Sequence, residues 1–349
     1  MVDQPASQPY VDAPRLRGSD DVEHWSVEAA GVRLRRLARR LPFTLPDHPR
    51  FSGGAANDVW DLGDSFLKVC WRADRSRIVR DARVNQELPD EIPHARVRDA
   101  GETVDLSWVL SERVNGVALD TLTLNESMAR HVARQMADTL SALHEWQPSP
   151  ATRQILLARP ALDPHDPLTI WASDLVILPV SRALALAPLA AGTSHVDAVL
   201  IDEVMALIDS LADADPTAGD ASGLVGRTGD VVLHGDPSFG NWFIDDGEVT
   251  GLIDFEWTRW GPRDLDLVTL VFVSQLPRAE PRFAYLRWLE ADYPDLFAAP
   301  DLDRRLWLYE LIFFVRAIIW WPPNAPESHL APEHHLHTLR RLLRGPLSR

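Results

Sequence analysis

The sequence predicts an α+β chain in two lobes, with an antiparallel sheet in the N-terminal lobe and a mainly helical C-terminal lobe. Three observations lead there. Between residues 51 and 114, short apolar runs alternate with turns rich in Gly, Asp and Ser, as strands joined by tight connections do. From residue 125 onward, apolar residues recur at helical spacing. The helical half is interrupted at "VVLHGDPSFGNWFIDD" (231–246), where strand-like runs flank His234, Asp236 and Asn241.

Taken in order, residues 1–20 are rich in Pro, Ser and Asp and read as a mobile leader. Residues 21–114 form the predicted N-terminal lobe. It begins with a partly helical stretch containing "VRLRRLARR", whose charged face is expected to be solvated. "FSGGAANDVWDLGDSFLKVCW" follows: a Gly-rich tip, then a hairpin around "LGDS" with arms near Val59 and at Phe66 to Trp71. "RSRIVRDARVNQEL" is a helix ended by Pro89. "TVDLSWVLSERV" alternates like a strand, and a linker near 111–124 opens the C-terminal lobe, 115–349. There, Val132, Met136, Leu140 and Leu143 form a helical stripe. Residues 147–230 contain two further helical patterns, "LVILPVSRALALAPLAAG" and "VDAVLIDEVMALIDSLAD". "VTGLIDFEW" is the second strand of the catalytic-looking hairpin, and helix runs from there to the end. No internal repeat is present.

Composition narrows the function classes. Hydrophobic content of 46% and charged content of 25% suit a soluble globular enzyme. A formal charge of −16 argues against nucleic acid or an anionic membrane as main partner. The start lacks the basic and apolar regions of a signal peptide, and "LWLYELIFFVRAIIWW" is too short and too charged to span a bilayer. Cys70 is the only cysteine, which excludes an intrachain disulfide and fits a reducing cytoplasm. Of 35 basic residues, Lys68 alone is a lysine. In a lysine-poor chain this exception suggests a site where a compact ammonium is needed and a planar guanidinium would not fit.

Asp236 and Asn241 are spaced D-x-x-x-x-N, and Asp254 follows 13 residues later. Phosphoryl transfer between oxygens needs a carboxylate to orient and deprotonate a hydroxyl, hard oxygen ligands for Mg²⁺, and a cation on the nucleotide phosphates. Asp236 suits the first role, Asn241 and Asp254 the second, and Lys68 the third. Glu87, 19 residues beyond Lys68, is expected to hold that ammonium in place. Taken alone, Glu87 reads instead as a surface residue paired with Arg83 at i, i+4.

The chain resembles the aminoglycoside phosphotransferase and choline kinase family, small-molecule kinases with a protein-kinase-like two-lobe fold. "HGDPSFGN" looks like its catalytic loop, "LIDFEW" like its metal-binding strand, and "GPRDLDL" like the segment that follows. "FSGGAANDVWDLGDSFLKV" is similar to the nucleotide loop and lysine strand, and "WVLSERVNG" to the hinge; the match runs from about 50 to 320. The resemblance implies ATP or GTP and Mg²⁺ as cofactors. It implies nucleotide contacts at Ser52, Gly53, Gly54, Glu112 and Val114, and it makes His234 a residue that orients the loop. Asp266 becomes a buried support, and Glu256 touches a second metal or caps the hairpin. The nucleotide loop departs from the family by lacking a G-x-G-x-x-G pattern.

The expected acceptor is a small cationic molecule, held by residues 147–230 and by loops of 245–310. The latter segment holds 14 acidic and 7 basic residues. An acidic cleft concentrates ammonium groups, and Asp264, Glu290, Asp292 and Asp295 are the candidates for contacting it. Trp320 and Trp321 would suit a choline-type acceptor, although core packing explains them as well. His144 and the pair at 334–335 are expected to be incidental. Cys70 lies on the Lys68 face of its strand and is expected to be a small filler. A catalytically silent binding protein of the same fold would be expected to lack Asp236, Asn241, Asp254 or Lys68. A metal-dependent hydrolase built on His234, Asp236 and Asp254 would need more histidines.

Overall fold

The computed structural model describes residues 27–53, 57–71, 76–158, 180–191, 197–213, 230–274, 282–320 and 335–346. The leader 1–20, much of 147–230 and Trp321 lie outside them, as does the side chain of Trp320.

The N-terminal part is a five-stranded antiparallel sheet. Its strands are β1 (Arg50–Gly53), β2 (Asp58–Asp61), β3 (Ser65–Cys70), β4 (Val97–Glu102) and β5 (Ser107–Glu112), in the order β1-β2-β3-β5-β4. Strand β4 was not anticipated from "VRDAGE", which lacks the alternation of its neighbours. It forms because the hairpin turn at Thr103 pairs it with the strongly apolar β5.

Period-two alternation splits this sheet into two functional faces. Leu67 and Val69 of β3, Trp108 and Leu110 of β5 and Trp60 of β2 form one cluster with Ala30, Leu34 and Leu37 of helix α1 (Val27–Ala38). Thus "VRLRRLARR" belongs to a helix that covers the outer face, burying one apolar stripe. On the other face, Cys70 and Val109 pack against Ile78 and Ala82 of helix α2 (Ser76–Glu87). Phe66 and Lys68 share that side and open onto a cleft.

Leaving β5 at Glu112, the chain runs through the short strand β6 (Val117–Ala118) into helix α3 (Glu126–Glu145), capped by the Asn125 side chain on Met128 N. Val132, Met136, Leu140 and Leu143 are all fully buried, each worth about 1.5–3 kcal/mol by area. Helix α4 (Pro150–Leu157) follows, then helices Val180–Leu184, Ala187–Ala191 and Ala198–Asp213. The helical run expected at 175–192 is, within its described residues 180–191, broken by a turn at Ala185–Leu186.

Two small sheets carry the polar interruption. Strand β7 (Val231–Leu233) pairs with β10 (Arg259–Gly261), and β8 (Trp242–Asp245) lies between β6 and β9 (Glu248–Leu252). Asp254 is therefore not on a strand as expected. β9 ends at Leu252, and Asp254 turns out of it with φ of 70°, in the left-handed region. Helices Leu267–Ser274, Arg282–Asp292, Leu302–Trp320 and His335–Leu342 complete the helical core. Among the described residues, no helix is long and apolar enough to cross a membrane.

Candidate active site

A cleft of about 250 Å³ lies between the sheet and the β8–β9 hairpin. Its walls are largely apolar: Val59, Phe66 and Val109 from the sheet, Phe243 and Ile253 from the hairpin. Ser111, Glu112 and Val114 line it where the chain leaves β5, and Lys68, Asp81, Asn85 and Asp254 form a polar end. Such a slot suits a flat heterocycle with an anionic tail.

Lys68 sits in the middle strand of three, opposite Val59 and Val109 in register. Its Nζ donates to Asp81 Oδ2 and to Asp254 Oδ1, each at 2.8 Å. Burial pushes the ammonium's pKa down, but the charges of Asp254, Asp81 and Glu256 outweigh it and hold the value well above 10.5. Glu87 is not its partner, contrary to expectation. That carboxylate bonds Ser149 and Thr152 and pairs with Arg83 at 2.7 Å. The reason is helical geometry. Asp81 shares a face with Ile78, Ala82 and Asn85, which is buried against the sheet, whereas Glu87, six residues on, points towards α4.

The loop after β7 is built around Asp266, which is fully buried. His234 N and Gly235 N donate to its two carboxylate oxygens at 3.0 and 2.7 Å, and His144 Nε2 donates at 3.0 Å. Burial alone would raise the Asp266 pKa. The hydrogen bond from His144, with the one from the Gly235 N–H, prevails and holds it low. His144 is thus not incidental. It is buried, and its other ring nitrogen accepts from the Tyr293 hydroxyl at 2.9 Å. Gly235 has φ of 85°, and a Cβ there would run into the Trp257 carbonyl, so only glycine fits.

His234 is fully buried, which lowers its pKa. Its Nε2 donates to Ile253 O at 3.0 Å and its Nδ1 accepts from Asp236 N at 3.2 Å, the pattern of a neutral ring fixed in one tautomer. Asp236 is half-buried. Burial and the neighbouring Asp254 charge raise its pKa to about 7, although Ser238 donates to it from both hydroxyl and backbone. Asn241 Nδ2 donates to the Asp236 carbonyl at 2.8 Å, and Asn241 O accepts from Ile253 N, the residue before Asp254. Lys68 and Asp254 therefore line one end of the cleft, and the loop bearing Asp236 and Asn241 is bonded to the chain beside Asp254.

The remaining expected residues are placed differently. Gly53 ends β1 with φ of 92° beside the exposed Ser52; neither lines the cleft, and Gly54 lies outside the described residues. Glu256 is buried, with one carboxylate oxygen bound to Asn57 and the other to Arg77. Asp264 is buried in an ion pair with Arg305 at 2.7 Å, which removes it from the acceptor set. Asp292 pairs with Arg130, and Asp295 with Arg263 at 3.4 Å. Much of the acidity of residues 245–310 is thereby offset within the fold. Glu290 is exposed, and no hydrogen bond or ion pair among the described residues joins it to the loop.

Asp81, Asn85, Asn57 and His144 were missed by sequence reasoning. For Asp81 and Asn85 a signal existed: two polar residues four apart on the apolar face of a helix. Nothing local marks Asn57 or His144, whose partners lie 199 and 122 positions away.

Comparison with known proteins agrees with this fold. The sequence model of the phosphotransferase enzyme family matches residues 47–302. No curated protein sequence matches the chain. Among solved structures, a thermostable variant of aminoglycoside phosphotransferase APH(4)-Ia, in ternary complex with ADP and hygromycin B, superposes with a TM-score of 0.60 at 16% identity. That match covers 89% of this chain and 97% of the other. The streptomycin–ATP ternary complex of APH(2")-IIa gives 0.55 at 16%, covering 92% and 98%. APH(3'')-Id from Streptomyces rimosus gives 0.53 at 18%, covering 85% and 100%.

Proposed function

The chain belongs to the phosphotransferase enzyme family, and from that premise we propose that it moves the γ-phosphate of ATP or GTP to a hydroxyl of a small cationic acceptor of the aminoglycoside type. One observation carries this reading. A half-buried carboxylate on the loop after β7, Asp236, lies near enough to Asp254 to feel its charge, and Asp254 pairs with the ammonium of Lys68 at the polar end of an apolar slot. The acceptor class is supported by the superposed complexes that contain hygromycin B and streptomycin.

In this reading the heterocycle lies between Val59, Val109 and Ile253, with Glu112 and Val114 at its rim. Lys68 contacts the phosphates, and Asp81 fixes the direction of the ammonium. Asp236 Oδ orients the acceptor hydroxyl and takes its proton as the new O–P bond forms and the bond to the nucleoside diphosphate breaks. His234 and Asp266 keep that carboxylate in place through the loop backbone.

The residues present also fit Mg²⁺. Asn241 spends its Nδ2 on Asp236 O, which leaves its Oδ1 as an acceptor, and Asp254 adds a carboxylate. Among the described residues, no group of three or more His, Cys, Asp or Glu could hold a metal. Two oxygen ligands are what a hard ion needs when phosphates and waters supply the rest. Bound there, it would offset phosphate charge; Asn241 and Asp254 would be its protein ligands.

The Lys68 contacts set the first expected result. Asp81→Asn should weaken nucleotide binding roughly tenfold or more, as expected for losing a charge-assisted hydrogen bond, while Glu87→Gln should leave it within about twofold. Nucleotide titration of both variants checks this. For the acceptor, aminoglycosides should drive release of nucleoside diphosphate, with a KM that rises with ionic strength. Preference for a neutral sugar, with a KM insensitive to salt, would contradict the cationic assignment.

A further inference from the structure

We propose that Glu256 is a positioning residue for the nucleotide, acting through Asn57 to hold the roof of the cleft over its floor. This rests on the phosphotransferase reading above. Alternation along the start of β2 turns Asn57 and Val59 towards the cleft and Asp58 and Trp60 towards α1. On the outer side, Arg33 of α1 grips Asp58 with two bonds of 2.6 and 2.8 Å. On the cleft side, Asn57 Nδ2 donates to Glu256 Oε2 at 2.8 Å. The amide's Oδ1 is buried and has no partner among the described residues, so this bond alone fixes the side chain.

Glu256 is itself immobilised. Its Oε1 accepts from Arg77 Nη1 at 3.3 Å, and its backbone carbonyl accepts from Arg80 at 3.1 Å. Both arginines belong to α2, and Arg77 also stacks over Trp257 at 4.9 Å. Glu256 lies two residues after Asp254, in the turn whose Phe255 N donates to Asp81 at 3.1 Å. One carboxylate thus joins three pieces: the strand bearing Val59, the helix bearing Asp81, and the turn bearing Asp254. Beside the Lys68–Asp254 bond from β3, the hydrogen bond from Asn57 to Glu256, across 199 positions of sequence, ties the start of β2 to this turn. Because Glu256 is charged, that bond belongs to the stronger class.

The test uses the full chain and four variants: Asn57→Ala, Asn57→Asp, Glu256→Gln and the double variant Asn57→Asp/Glu256→Gln. Nucleotide affinity is measured by titration, KM and kcat by turnover, and folding by thermal melting. Asn57→Ala should weaken nucleotide binding roughly tenfold while kcat at saturation stays within about threefold. Asn57→Asp sets two carboxylates against each other and should be weaker still. The double variant restores an amide–carboxylate pair with the roles exchanged and should recover affinity to at least the level of Asn57→Ala. Wild-type affinity in Asn57→Ala and Asn57→Asp would overturn the proposal. So would failure of the double variant to recover, since the introduced carboxylate would then be repelling phosphate rather than Glu256. If Glu256→Gln does not fold, binding of the bare nucleoside decides. It has no phosphate to repel, so weaker binding by Asn57→Asp supports the contact and unchanged binding overturns it. If wild-type protein binds no nucleotide, the phosphotransferase reading itself fails, a result distinct from all of these.

Discussion

Asp236→Asn should nearly abolish turnover and at the same time raise the protein's stability. General-base assistance contributes typically ~10² to 10⁴-fold, and kcat should fall by that range with nucleotide affinity largely kept. The stability gain follows from the same environment. Burial and the Asp254 charge raise the Asp236 pKa from 3.8 to about 7. A raised carboxyl pKa stabilises the fold below about 3.8, where both states are protonated and the acid is at home. That contribution is lost as pH climbs towards about 7, where the folded protein must carry the charge. The neutral amide avoids the loss, so the variant's advantage should grow between pH 4 and 7 and level off above. For a half-buried group it should reach about 1–3 kcal/mol. Melting curves at pH 5 and pH 8 measure this; a variant less stable than wild type at pH 8 would contradict it.

Asp266→Ala should cost the largest share of stability of any substitution near the site. The fully buried carboxylate accepts from His234 N, Gly235 N and His144, and removal leaves all three donors without it. Breaking a buried, hydrogen-bonded charged group of this kind costs about 3–5 kcal/mol. In a urea titration the midpoint should fall steeply while the slope stays constant. Retention of wild-type stability would mean that the loop is held by its strands rather than by Asp266.

The parts of this site legible in the sequence are those written locally. The D-x-x-x-x-N spacing and the strand lysine depend on short-range periodicity, and the structure puts Lys68 and Asp254 on the cleft wall and bonds the Asp236–Asn241 loop to the chain beside Asp254. Choice among carboxylates was less legible. Asp81 and Glu87 lie on one helix, and only the face that the sheet covers decides which meets Lys68. Asp264 and Asp292 looked available because their partners, Arg305 and Arg130, come from distant helices. The same holds for His144 and Glu256, whose roles come from partners in another part of the fold. Local pattern predicts which residue types gather; tertiary register decides which of them are already paired.

The most direct measurement follows the γ-phosphate itself. Wild-type protein is incubated with γ-labelled nucleotide, Mg²⁺ and an aminoglycoside, and the label on acceptor and on free phosphate is counted against diphosphate formed. The account predicts one labelled acceptor for each diphosphate released, and loss of both in Asp236→Asn protein that still binds nucleotide. Label appearing only as free phosphate, or transfer that survives in Asp236→Asn, would contradict it.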